Sequence, residues 1–198
     1  ASGTNSTALG SGSLATNTDA FAVGVQSRAL ASNAISFGTG ANASGVDSQA
    51  LGYFANARST RGVAIGPYAN VQGIDSLALG QNATTTGNQD LAIGTNSIAE
   101  GPYASAIGYQ ANSYGSQSMA LGVNSIAVGV NALAVGHGAQ ANGNNAFAIG
   151  VNAVADGDES FVMGDGSQVK AGSRDAFVTG DDASATGNDS SAFGYKSV

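Results

Sequence analysis

Large and small apolar residues alternate over three positions, stop at a glycine, and resume fourteen residues later, from one end of the chain to the other. Asn144-Asn-Ala-Phe-Ala-Ile-Gly150 is one such phrase. Anchor glycines run from Gly10 to Gly164 at intervals of fourteen, and after one step of sixteen come Gly180 and Gly194. A period held this strictly is the signature of a repeat architecture in which each repeat is one supersecondary unit.

Within a repeat the positions have distinct characters. The residue before the anchor is large and apolar in thirteen of fourteen repeats, the exception being Thr179. Two before stands alanine in eleven, with Ser36, Val162 and Val178 elsewhere. Three before the residue is again mostly large, as in Phe21, Leu77 and Phe147. A period of two predicts a short strand. Three residues after the anchor only Ala or Ser occurs, and five after is usually small as well, with polar residues such as Asn42, Asn112 and Gln140 between them. That predicts a second short strand with a small-residue face and a solvent face. The anchor and the frequent Asn or Gly two residues on, as at Asn82, Asn124 and Gly138, tolerate positive φ and predict a tight turn. Glycine seven after the anchor, as at Gly73, Gly101 and Gly143, marks the return turn.

Strand, turn, strand, turn in fourteen residues is one circuit of a narrow two-sheet solenoid. Equal positions then stack at the interstrand spacing, so about fourteen coils would rise roughly 65 Å. So small a circuit holds Ala and Ser but not Leu or Phe, which turns the large residues outward. The outward stripe, which runs the length of the chain and includes Leu51, Ile65, Leu79, Ile93, Ile107, Leu121, Val135 and Ile149, would expose roughly 650 Å² of apolar surface, more than soluble monomers leave bare. These residues are therefore expected to pack against other subunits. The opposite arrangement, large residues inside and alanines out, leaves the invariant Ala or Ser of the second strand unexplained.

Asn5-Ser-Thr-Ala-Leu-Gly10, Asp75-Ser-Leu-Ala-Leu-Gly80, Asn124-Ser-Ile-Ala-Val-Gly129 and Asn145-Ala-Phe-Ala-Ile-Gly150 together resemble the head repeat of YadA-like trimeric autotransporter adhesins. The resemblance covers essentially all 198 residues. It implies an all-β, left-handed parallel β-roll assembled as a homotrimer and displayed on a bacterial surface, held in the outer membrane by a C-terminal anchor. Residues 1–198 are expected to form a single head, with a two-residue insertion between Gly164 and Gly180. Neck, stalk and anchor would lie outside this segment. The resemblance also implies attachment to host matrix proteins such as collagen, fibronectin or laminin, many shallow contacts along the side wall adding up by multivalency. A spacer that binds nothing itself is the alternative.

Composition narrows the chemistry. Cysteine is absent and His137 is the only histidine, so neither a catalytic triad nor a zinc site has its usual parts, and no enzyme activity or cofactor is expected. A formal net charge of −7 makes nucleic acid a poor partner, and no apolar run is long enough to span a membrane. Eight of the thirteen acidic residues fall from Asp156 onward, but their spacing fits no calcium loop, so they read as a solvated face. The strongest surface signal is Tyr53, Phe54, Arg58, Arg61 and Tyr68 on neighbouring coils, residue types favoured in binding hot spots. Tyr103, Tyr109 and Tyr114 form a weaker group, and Ile126 and Val128 place apolar side chains on a normally polar face.

Overall fold

The computed structural model describes residues 1–198 and contains strands and turns only. Backbone contacts divide the chain into two compact units, Ala1–Ser97 and Ile98–Val198. The first holds seven three-residue strands and six two-residue strands; the second holds seven of each. Thirteen circuits are complete, and the fourteenth ends after its first strand.

In each unit the three-residue strands form one parallel sheet and the two-residue strands another, with every residue paired to its equivalent one repeat on. In the first unit Leu77, Ala78 and Leu79 face Leu91, Ala92 and Ile93, and Asn70 and Val71 face Thr84 and Thr85. In the second, Leu133, Ala134 and Val135 face Phe147, Ala148 and Ile149. The sixteen-residue step keeps this register, since Phe161 pairs with Phe177 and Gln168 with Ser184. Its extra residues lie in a turn that exposes Ala171 and Gly172, so the insertion bulges outward as the sequence predicts.

The core is made of small side chains. Ala22, Ala50, Ala64, Ala106 and Ala148 of the first strands, and Ala29, Ala57, Ala127 and Ala155 of the second, are wholly buried. A further interior column, four before the anchor, is filled by Ala20, Ala34, Ser48, Ala104, Ser118 and Ala146. The largest buried side chains are valines, at Val71, Val162, Val169 and Val178. The large residues of the three-residue strands lie outside, so the arrangement with bulky side chains within is excluded.

Serine replaces alanine in this core and in most coils its hydroxyl finds a local acceptor, Ser27 being the exception. Ser97 and Ser125 donate to the carbonyls of Gly94 and Gly122 at 2.9 Å, and Ser48, Ser118 and Ser160 donate in the same way to Gly45, Gly115 and Gly157 at 2.6–2.7 Å. Each turn carbonyl takes up a polar group that would otherwise cost free energy to bury. A short polar side chain with a local acceptor is thus equivalent to a methyl group.

Each complete fourteen-residue coil holds left-handed residues two and nine after the anchor, most of them Asn, Asp or Gly, and in the sixteen-residue coil the second shifts to Asp175. Pro67 and Pro102 each directly precede one, Tyr68 and Tyr103, as in turns that accept proline second and require positive φ third. The anchors are more extreme, Gly122 and Gly136 having φ of 141° and 132°. A Cβ on Gly136 would lie 2.3 Å from the carbonyl oxygen of Gly150 in the next coil. Gly73, Gly101 and Gly143 are glycine for the same close approach, not for positive φ.

Candidate functional site

The side chains that leave the tube fall into two groups. On the sheet of three-residue strands, Leu51, Ile65 and Ile93 are half-buried and Leu79 is exposed, and in the second unit Ile107, Leu121, Val135 and Ile149 are half-buried. Their cover comes from like neighbours stacked above and below, so each column presents one continuous apolar edge. Beside this column in the second unit Phe161 stacks on Phe177 with ring centroids 4.9 Å apart, flanked by Phe147 and Phe193. Phe147, Phe161 and Phe177 thus line up on an outer face, each ring meeting the next.

The other sheet carries the polar wall, and in the first unit an aromatic cluster stands at the turn that leads into it. Phe54 and Tyr68 occupy equivalent positions in successive coils, and their rings lie parallel with centroids 6.0 Å apart. Tyr53 meets both edge-on, at 4.6 and 5.4 Å. All three are about half exposed. Desolvation by this packing, reinforced by the neighbouring Tyr53, holds the Tyr68 hydroxyl above the usual tyrosine range. Phe54, Arg61 and Tyr68 have φ of 52°, 55° and 59°, three consecutive left-handed positions without the Asn, Asp or Gly that such a backbone favours. Strain of this kind persists where the surroundings enforce it and collects at functional sites.

The two arginines of the predicted patch part company. Arg58 lies on the polar wall, its guanidinium 2.7–2.8 Å from the Asn56 amide. Arg61 sits at the return turn, at the other end of the coil from the aromatics. It donates through Nε and Nη2 to both carboxylate oxygens of Asp75. The hydrogen bonds from Arg61 hold the Asp75 carboxyl below its ordinary range. The structure therefore gathers Tyr53, Phe54 and Tyr68, sets Arg58 on the adjoining face, and places Arg61 apart.

Next to the cluster the wall opens into a groove of about 590 Å³ lined by Leu14, Gln26, Arg28, Asn42, Phe54 and Asn56 over the backbone of Gly12 and Gly40. The Phe54 ring leans across Gly40 and fills the space its Cβ would need. Asn42, Asn56 and Asn70 occupy the same position in successive coils and line one side with their amides, the Asn56 oxygen turned to the Arg58 guanidinium. Sequence reasoning missed this groove. Its signal was the pairing of glycine at positions 12 and 40 with a bulky residue at 54, all in one column.

The remaining features are weaker. Tyr103, Tyr109 and Tyr114 are exposed but make no ring contacts with one another. Val128 is exposed on the outer face with half-buried Ile126 beside it, and His137 is exposed at a turn. A polar cleft of about 240 Å³ between Asn144, Asp158, Glu159 and Arg174 follows the acidic surplus. No group of three or more His, Asp or Glu side chains is arranged to hold a metal ion.

Comparison with known proteins accords with this geometry. The YadA head domain repeat family matches over residues 1–27, 15–41, 29–55, 43–69, 72–97, 99–125, 127–153, 141–167 and 174–197. Among solved structures, the collagen-binding domain of the Yersinia adhesin YadA aligns with a TM-score of 0.60 at 28% identity, covering 65% of this chain and 70% of that one. No curated protein sequence matches. The repeat and the parallel solenoid are thus shared features, and the chain belongs to the YadA head domain family.

Proposed function

We propose that this chain is an adhesive head of a bacterial surface fibre, working as a homotrimer and attaching to host matrix proteins such as collagen, fibronectin or laminin through its polar side wall. The observation that carries association is the inside-out placement of side chains, alanine buried and Leu, Ile and Phe left on one face, while the number three rests on the family likeness. Burying a large apolar side chain contributes about 1.5–3 kcal/mol, so columns repeated in every coil make association strongly favourable. Three chains meeting through these columns leave the opposite sheet, with Arg58 and the adjoining turns that bear Tyr53, Phe54 and Tyr68, facing solvent. The similarity to a collagen-binding domain supports matrix protein as the target. A membrane anchor C-terminal to this segment would place the head at the cell surface.

Solid-phase binding tests the reading. Immobilised collagen, fibronectin and laminin are exposed to the soluble chain, and saturable binding to at least one is expected. Binding to none of the three would contradict adhesion to matrix protein.

A further inference from the structure

We infer that the groove beside Phe54 binds a linear acidic polysaccharide carrying one carboxylate per disaccharide, a uronate-bearing glycan laid along the stacked coils. This deepens the adhesive reading by naming a partner class for one stretch of the wall, and it rests on that wall being free.

Charge is the first argument. The first unit has three cations; Arg28 lines the groove, and Arg58 stands on the adjoining wall against Asn56. No side chain or backbone acceptor engages the Arg28 guanidinium. The acidic residues of this unit are elsewhere: Asp19, Asp47 and Asp75 lie in the return-turn column at the far end of the coil, and Asp90 is buried. An anion on this face therefore meets positive charge and no facing carboxylate. The formal net charge of −7 opposes a densely sulfated chain more than a sparsely carboxylated one.

Spacing is the second. Arg28 and Arg58 are two coils apart, roughly 10 Å of rise at the interstrand spacing. Each pyranose of an extended glycan advances by close to one coil, so carboxylates on alternate sugars recur at the interval of the two arginines. Asn42, Asn56 and Asn70, stacked in successive coils from the rung between the arginines onward, offer an amide at each rung, matched to hydroxyl groups that repeat along the chain.

The third is the aromatic floor. Sugar rings present an apolar C–H face, and the exposed Phe54 ring over Gly40 is a flat surface for it. Holding phenylalanine at φ 52° works against local stability, yet it sets that ring at the groove edge, where Asn in the same column at Asn82 or Asn96 would leave none.

The repeat supplies substitutions that do not threaten folding. Phe54→Asn and Gly12→Asn introduce the residue found at the equivalent left-handed positions 82 and 96, and Arg28→Asn the residue at the stacked positions 42, 56 and 70. Binding of a hyaluronan octasaccharide to the soluble chain is measured by titration calorimetry, with neutral chitohexaose and a collagen-like triple-helical peptide as comparison probes. Hyaluronan is expected to bind and chitohexaose to bind about tenfold more weakly, with Phe54→Asn and Arg28→Asn each costing about tenfold, equivalent to about 1.4 kcal/mol. Gly12→Asn, which fills the groove, should also weaken binding while thermal melting stays unchanged.

No hyaluronan binding, equal binding of the neutral glycan, or hyaluronan binding indifferent to all three substitutions would overturn the inference. So would a result in which only the peptide binds and the substitutions abolish that. A chain that binds matrix protein on a solid phase but no hyaluronan loses the glycan site alone. One that binds hyaluronan but no matrix protein loses the protein-adhesion reading alone.

Discussion

Gly136 and Gly138 sit two residues apart in one turn, and replacing each by alanine separates two reasons for glycine. At Gly136 φ is 132°, a region essentially closed to L residues, which costs about 1–3 kcal/mol. The new Cβ would also stand 2.3 Å from the carbonyl oxygen of Gly150, a backbone atom fixed by the next coil. Relief requires the coils to part where Gly150 N donates to Val135 O at 2.9 Å, and weakening that bond adds about 1 kcal/mol. Gly136→Ala should therefore destabilise by roughly 2–4 kcal/mol. At Gly138 φ is 67°, an accessible left-handed conformation, and the nearest obstacle is the movable Asn152 amide. Gly138→Ala should cost only about 1 kcal/mol. Urea unfolding followed by far-UV circular dichroism measures both, read as midpoint shifts because long repeat arrays need not unfold in two states. Equal shifts for the two variants would refute the view that the anchor period is imposed by close approach between coils.

Other outcomes follow from the same geometry. Ala64→Leu, in a column whose largest native occupants are Val162 and Val178, should destabilise by about 3 kcal/mol or more, and Ala64→Val by clearly less; thermal melting compares them. Tyr103→Asn relieves a tyrosine held at φ 65° with no ring partner and should stabilise by about 1 kcal/mol, whereas Phe54→Asn gives up its contacts with Tyr53 and Tyr68 and should come out nearly neutral. Asp75 titrates below its ordinary value because Arg61 donates to it, so its contribution to stability is present at neutral pH and lost as pH falls through that depressed value. A carboxyl NMR titration should find Asp75 back in the usual range in Arg61→Gln, and an unchanged value would remove the pair from the account.

The fold was legible because backbone geometry forces the same residue class into the same position in every coil. Large, small, large before the anchor and Ala or Ser three after are enough to set strand, face and interior. The column four before the anchor escaped notice beside the bulky column next to it, although Ala20, Ser48 and Ala146 show the same Ala or Ser choice. The second left-handed position was hidden because stacking imposes it on whatever residue is present, so Arg61, Tyr103 and Gln117 interrupt the Asp and Asn that recur there. Arg61 read as part of the aromatic patch through nearness in sequence, but seven residues are half a circuit and carry it from one turn to the other. The groove depends on missing side chains at Gly12 and Gly40, which a search for functional groups does not register.

The account turns on bulky side chains having no room inside the coil and therefore needing other subunits. Sedimentation equilibrium of the purified chain measures this directly. A single species of three times 19.2 kDa that persists on dilution is predicted, while a stable, soluble species of 19.2 kDa would contradict it.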